Sequence, residues 1–87
     1  MTILEEAAKI IIGDRRTSYG PVEESFRRIS SLWSAMLGIE ITSSKVALMM
    51  LGFKLCREMN KHNKDNLIDI CGYAALLSQL EKDKNDL

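Results

Sequence analysis

Two neighbouring segments in the second half of the chain are apolar around their whole circumference, and they constrain the fold most. They read VALMMLGF over 46–53 and LIDICGYAALL over 67–77, the second broken by one carboxylate. A helix that is apolar on every side must be covered on every side. A chain this short buries only ~60–65% of its unfolded surface, so it cannot cover two such helices. The sequence therefore predicts a homo-oligomer, most simply a two-fold dimer, that buries helices three and four together.

The first half of the chain predicts two further helices. Thr2 and Glu5 have the spacing of a capping box, and the first helix is expected from Thr2 to Ile12 with a stop at Gly13. The second helix is expected from Pro21 to Gly38, because proline suits a first helical turn. Its apolar residues recur at spacings of three and four, and they include Phe26 and Trp33 as core residues.

The two long helices complete an all-α bundle of about four helices. Thr42 or Ser43 is expected to cap the third helix, which runs to about Asn60. The fourth helix is expected from about Asp65 to Lys82. No β pattern and no internal repeat is present. We expect a single domain over 1–82, followed by a charged tail over 83–87 that frays.

Composition narrows the class of protein. The chain of 87 residues is 46% hydrophobic and 28% charged, which is typical of a globular domain. Twelve basic residues balance twelve acidic ones, so a general DNA or RNA binder is not expected. Cys56 and Cys71 lie within helical patterns and are interpreted as reduced core residues. No apolar run reaches membrane-spanning length, and MTILEEAAK is not a signal peptide, so a cytoplasmic protein is expected.

The polar stretch DRRTSYG, residues 14–20, predicts a binding loop. Arg15 and Arg16 offer planar forks for phosphate oxygens. Thr17 adds a hydroxyl, and Tyr19 can stack on a base or donate a hydrogen bond. The alternative is an ordinary polar loop whose arginines pair with surface acids.

A basic stripe on the third helix can complete such a pocket. Lys54, Arg57 and Lys61 follow at spacings of three and four. His62, in the polar turn after them, is either an exposed residue or a contact for phosphate or metal. The expected ligand is a small phosphorylated molecule.

Asp69 lies within the apolar fourth helix and needs a partner, since an unpaired buried charge is costly. Antiparallel pairing of the two long helices places Lys54 level with Asp69, so an ion pair is one solution. The other is a Mg²⁺ site, for which Asp65, Asp69 and the adjacent Glu23 and Glu24 would supply carboxylates. Glu23 and Glu24 also suit the positive end of a helix dipole.

Three segments of the chain carry a resemblance. DRRTSYGPVEESFRRISSLWSAMLG, ITSSKVALMMLGFKLCRE and KDNLIDICGYAALL resemble a family of short bacteriophage proteins, described as similar to MazG-type all-α nucleotide pyrophosphohydrolases. The resemblance covers about residues 3–80. Its most specific residues are Arg16, Tyr19, Gly20, Lys54, Arg57, Asp65, Asp69, Gly72 and Tyr73.

The resemblance implies a helical bundle, dimeric or larger, that binds a nucleotide through Mg²⁺ in the cytoplasm of an infected bacterium. It implies that carboxylates would hold metals for water attack on an α–β phosphoanhydride. The MazG pattern has ExxE on one helix and ExxD on a later one, whereas Glu23 and Glu24 are adjacent here and point ~100° apart. Asp65 and Asp69 form DxxxD instead. Four well-aimed carboxylates are therefore not evident.

Three functions follow as hypotheses. The first is a phage protein that sequesters a nucleotide, such as a signalling nucleotide of host antiviral defence, with little or no turnover. The second is a Mg²⁺-dependent nucleoside triphosphate pyrophosphohydrolase. The third is a protein-binding inhibitor of a host enzyme.

Overall fold

The structure, a computed structural model, describes residues 1–10 and 21–84, with side chains described as far as residue 80. All regular structure in these residues is helical, which confirms the all-α prediction. The four helices are α1 (Ile3–Lys9), α2 (Val22–Leu37), α3 (Ser43–Asn60) and α4 (Lys64–Lys84). Over the described ranges, no helix is long and apolar enough to cross a membrane.

Local chemistry begins α1 and α3, and ends α2, where the sequence predicts. Glu5 N donates to Thr2 Oγ1 at 3.1 Å and Thr2 N donates to Glu5 Oε1 at 2.8 Å, which confirms the capping box. Thr42 caps α3 by accepting from Lys45 N at 3.2 Å. Gly38 ends α2 with a φ of 71°, a left-handed conformation that glycine adopts without strain. The predicted end of the first helix at Ile12 lies outside the described residues.

Two helices begin at slightly different residues from those predicted. Pro21 precedes α2 and has an extended ψ of 130°, so the first helical residue is Val22. The fourth helix begins at Lys64, because Asn63 Oδ1 accepts a hydrogen bond from Asp65 N at 2.9 Å. The Asn63 carbonyl also accepts from Asn66 N at 2.9 Å. Asparagine is a strong N-cap residue, and this signal was present in the turn sequence.

The bundle is organised around the pair formed by α3 and α4, which make the most extensive interhelical contact. The three residues 61–63 connect them, which makes the pair an antiparallel hairpin. The short α1 packs against α4, and α2 packs against α3. α1 therefore covers α4, whereas α2 packs mainly on α3 and also reaches α4 through Phe26.

The core lies where α2 meets the central hairpin. Its buried members are Phe26, Ile41, Val46, Ala47, Leu76 and Leu80. The Phe26 ring lies 6.1 Å from the Tyr73 ring in a tilted arrangement. Phe26 is a buried core residue as predicted, and Trp33 is half-buried and packs against the same cluster.

Two serines of α2 anchor the connection to α3. Ser34 Oγ accepts from Ile41 N at 2.8 Å and donates to Ile41 O at 3.2 Å. Ser30 Oγ also donates to Ile41 O. These bonds satisfy the backbone of a residue whose side chain is buried in the core, so the loop after Gly38 is held against α2.

Solvent exposure separates the two apolar helices, which the sequence treats alike. Among the described residues of α4, no large hydrophobic side chain is exposed. On α3, by contrast, Leu48, Met49, Phe53, Leu55 and Met59 are 45–85% exposed. The described part of α4 is thus covered within the chain, whereas α3 keeps large apolar side chains in water. The predicted oligomer through helices three and four stays a prediction.

The cysteines follow the same division. Both are free thiols, but Cys56 is exposed on α3 and only Cys71 is half-buried. The prediction that both are core residues was therefore wrong for Cys56. Cys56 lies on the side of α3 that faces solvent.

We predict that Ser34→Ala destabilises the fold by about 1–3 kcal/mol, because the part-buried Ile41 N–H loses its partner. Chemical denaturation measures the change in the free energy of unfolding. Ser31→Ala is the matched control, because Ser31 is exposed on the same helix. Equal effects of the two substitutions would contradict the anchoring role of Ser34.

Candidate functional site

Lys54 and Asp69 form an ion pair in the middle of the α3–α4 hairpin. Lys54 Nζ lies 2.9 Å from Asp69 Oδ2, and the two side chains are only 17% and 23% exposed. This confirms the ion pair that antiparallel pairing predicts. The pair gives the carboxylate inside the apolar helix a partner within its own chain, so Asp69 needs no metal to be buried.

The other predicted metal ligands lie in separate surroundings. Glu24 Oε1 accepts from Arg28 Nη2 at 3.2 Å on the exposed side of α2. Glu23 takes part in an interaction of its own, and Asp65 is exposed in the first turn of α4. Within residues 1–10 and 21–80, no three His, Cys, Asp or Glu side chains form a group that could hold a metal ion. The Mg²⁺ site therefore stays a prediction without support from these carboxylates.

A groove of about 550 Å³ lies at the turn between α3 and α4, and Arg57, Lys61 and His62 of the predicted basic site line it. Its lining residues are Phe53, Cys56, Arg57, Asn60, Lys61, His62, Asn63 and Asn66. The Arg57 guanidinium carbon lies 5.0 Å from the centre of the Phe53 ring. Lys54 Nζ lies 5.8 Å from the same ring. An aromatic face and several cations are thus presented together.

Arg57 is the cation of this groove that is placed to meet an anion. Its side chain is exposed, and its guanidinium group lies over the Phe53 ring. Lys61 is also exposed, one turn further along. Lys54, in contrast, is held by Asp69. The basic stripe therefore divides into a structural lysine and two cations available to solvent.

His62 is held by a carboxylate that the sequence analysis overlooked. Glu58, one turn earlier on α3, forms an ion pair with His62 Nδ1. Glu58 Oε1 also accepts from Asn63 N at 2.9 Å and from Asn66 Nδ2 at 3.3 Å. One side chain thus bridges the end of α3, the turn and the start of α4. The i, i+4 spacing of Glu58 and His62 was the available signal.

These bonds lower the pKa of Glu58. The hydrogen bond from His62 contributes most, and the Asn63 backbone N–H adds to it. Both bonds favour the ionised carboxylate over the neutral acid. Glu58 therefore stays charged at neutral pH and remains bonded to His62. The histidine thus helps to hold the turn together.

The predicted arginine loop cannot be placed beside this groove. Arg15, Arg16, Thr17 and Tyr19 all lie outside the described residues. Their roles as ligand contacts stay predictions. The described site instead adds residues that sequence reasoning missed: Phe53, Asn60, Asn63 and Asn66. Phe53 had been grouped with the apolar core because periodicity alone does not tell which side of an apolar helix faces solvent.

A second cavity lies between α1, α2 and α4 and is mainly apolar. It has a volume of about 70 Å³ and is lined by Phe26, Asp69, Gly72 and Tyr73, among others. Gly72 and Tyr73 are among the residues that carry the resemblance. The cavity is far smaller than the groove, and much of it is bounded by core residues.

Comparison with known proteins decides the relationship of this chain. Residues 2–81 match one protein family. The chain belongs to the family described as Domain of unknown function (DUF6378). No solved structure matches the chain.

Two relatives of the chain come from bacteriophages. The chain is 41% identical over 83 residues to the Gene 55 protein of Mycobacterium phage L5, across 93% of its own length and 53% of the relative. It is 35% identical over 80 residues to the Gene 55 protein of Mycobacterium phage D29, across 91% of its length and 53% of the relative. The chain thus spans about half the length of these relatives. A bacteriophage family is confirmed, whereas the names give no link to MazG enzymes.

We predict that the Lys54–Asp69 pair is energetically coupled. Lys54→Met and Asp69→Asn should each cost about 1–3 kcal/mol of stability, because each leaves a half-buried partner unsatisfied. The double variant should lose less than the sum of the two. A double-mutant cycle by denaturation measures this coupling, and additive losses would contradict the pair.

We also predict an acid-dependent contribution from Glu58. Its pKa is lowered in the folded state from an ordinary value of 4.5, so its contribution is present above that pH and is lost as pH falls through the folded pKa. The melting temperature of the wild type should therefore fall more steeply below pH 4.5 than that of Glu58→Gln. Thermal unfolding at a series of pH values measures this. Parallel curves for the two proteins would show that the lowered pKa has no effect on stability.

Proposed function

We propose that this DUF6378 domain binds a small phosphorylated nucleotide in the groove at the α3–α4 turn and holds it with little or no turnover. The observation that carries the proposal is the exposed guanidinium of Arg57, stacked on the half-exposed Phe53 ring. A nucleotide combines a phosphate with an aromatic base. The groove presents a partner of the right chemistry for each.

Each side of the groove has a defined chemical role. Arginine offers a planar fork of donors that matches phosphate oxygens, and Lys61 adds a second positive charge. The Phe53 ring supplies a stacking surface that accepts any base. The amide group of the exposed Asn60 can bond to base or sugar edges. The volume of about 550 Å³ falls within the range of small-molecule sites.

Neighbouring acids do not neutralise the groove. Glu58 is the nearest carboxylate in the chain to Arg57, and it is engaged by His62, Asn63 and Asn66. Asp69 is engaged by Lys54. An anionic ligand therefore meets cations whose acidic neighbours are already occupied. This supports binding of a phosphate without a bridging metal.

The carboxylate arrangement favours retention of the ligand over its hydrolysis. Phosphoanhydride cleavage by metal ions needs several carboxylates aimed at one place. The predicted ligands are instead distributed between α2 and α4, and Asp69 has a lysine partner. Since the relatives are phage proteins, we propose sequestration of a nucleotide in the host cytoplasm, for example a signal of antiviral defence. A Mg²⁺-dependent pyrophosphohydrolase is the alternative.

A pooled binding experiment separates these functions. The protein is incubated with nucleoside triphosphates, cyclic nucleotides and ADP-ribose derivatives, with Mg²⁺ or with EDTA, then washed and denatured. Mass spectrometry of the released material should show an intact nucleotide under both conditions. A monophosphate with pyrophosphate, formed only with Mg²⁺, would replace the proposal with the pyrophosphohydrolase. If neither an intact nucleotide nor these products are found, a protein-binding inhibitor is favoured. The exposed apolar side chains of α3 offer a surface for that function.

We predict that Arg57→Ala lowers the retained nucleotide at least about tenfold, because a charged hydrogen-bonded contact to phosphate is worth about 1.5–3 kcal/mol. Arg28→Ala is the matched control, because Arg28 is an exposed arginine whose partner is Glu24 on α2. Circular dichroism confirms that both variants are folded. Equal retention by the two variants would place the ligand elsewhere.

A further inference from the structure

The solvent-facing side of α3 is a continuous apolar face that the protomer leaves uncovered. We call the following residues the α3 face: Lys45, Leu48, Met49, Gly52, Leu55, Cys56 and Met59. They lie three or four positions apart and therefore share one side of the helix. Lys45 is the one charged member, at the amino-terminal end. Exposed apolar surface of this extent is typical of an interaction site.

Gly52 at the centre of the α3 face has no explanation within its own chain. Glycine weakens the interior of a helix relative to alanine. A Cβ atom built on Gly52 would meet nothing within 4 Å, so no neighbour in the protomer requires the missing side chain. Gly52 also has no left-handed backbone conformation. A glycine here instead allows a second backbone to approach α3 from outside.

Two copies of the α3 face are complementary to each other in an antiparallel arrangement centred on Gly52. Leu48 and Cys56 are each four residues from Gly52, on opposite sides, and Met49 and Leu55 are each three residues away. In an antiparallel pair with its two-fold axis at Gly52, Leu48 therefore opposes Cys56 of the partner subunit, and Met49 opposes Leu55 of the partner subunit. Both of these opposed pairs are apolar. The backbones approach closest where the side chain is smallest.

Charge favours the same antiparallel direction. Lys45 lies in the first turn of α3, near the positive end of the helix dipole, and that turn contains no acid. Lys45 and Met59 are each seven residues from Gly52. The two-fold axis thus brings Lys45 to the carboxyl-terminal end of the partner subunit's helix, where the dipole attracts a cation. A parallel pair would place the two lysines together.

We propose that a second copy of this chain covers the α3 face in this antiparallel pair and adds Lys45 to the nucleotide groove of its partner. The position opposite Lys45 is Met59, which is next to Asn60 and one turn from Cys56, and both of these residues line the groove. Each groove would then contain a third cation, contributed by the other copy. The role of Lys45 rests on the proposed function, whereas the pairing of the α3 faces does not.

Disulfide trapping tests the register of the pair without any ligand. In a Cys71→Ser background, Leu48→Cys should form a covalent dimer with the native Cys56 on mild oxidation. Two native Cys56 residues would be ~12 Å apart along the helices, which is too far for a disulfide, so the background alone should stay uncrosslinked. Leu37→Cys, an exposed apolar position on α2, is the matched control. No excess of dimer over this control would overturn the proposal.

Light scattering supplies a second test. The wild type should have the mass of a dimer, and Gly52→Arg should have the mass of a monomer. The arginine meets open space within the protomer and replaces a poor helix former, so the folded helix content should not fall. A monomeric wild type, or a dimer that survives Gly52→Arg, would overturn the pairing. A larger complex seen only with a host protein would assign the face to that protein.

Nucleotide titration then tests the role of Lys45, with ATP as the probe. Lys45→Ala should weaken ATP binding about three- to tenfold in the wild type and leave it unchanged in the Gly52→Arg monomer. Lys9→Ala on α1 is the control. Equal effects in both backgrounds would overturn the contribution across the interface. If ATP does not bind the wild type, the nucleotide site fails for that probe, while the disulfide result still decides the pairing.

Discussion

The contact of Lys54 with Asp69 holds the two central helices together at a point where either charge alone would be unfavourable. It lies inside the hairpin, where both side chains are mostly shielded from water. Each charge therefore specifies the other helix as its partner, and this limits the register in which α3 and α4 can pack. α1 and α2 pack against this pair: α1 covers α4, and α2 packs mainly on α3.

The register of the hairpin also forms the groove at its closed end. Glu58 reaches across the turn to the backbone of Asn63 and the amide of Asn66. This bridge adds a connection at the turn between the groove-lining residues of α3 and those of α4. The same contacts of Glu58 shape the groove and occupy the carboxylate next to it. Arg57 is left facing solvent beside an aromatic ring.

The candidate site and the exposed apolar face lie on one helix, α3. Its inner side packs on α4 and its outer side keeps large apolar residues in water. A second copy on the outer side would bury them and would also bring a cation to the groove. One helix would then connect assembly with ligand binding.

The sequence by itself determined the four helices, because periodicity and capping are local: Thr2, Thr42 and Gly38 act within one turn of their own backbone. It also predicted the Lys54–Asp69 pair, as one of two solutions for the charge of Asp69, because a short turn brings the two residues level in an antiparallel hairpin. Only the tertiary structure decided which side of α3 meets water, and so that Phe53 and Cys56 are exposed while α4 is covered. Periodicity cannot decide this for a helix that is apolar all round, because the choice depends on which neighbours pack against it. The division of the basic stripe into a paired Lys54 and an available Arg57 follows from that same packing.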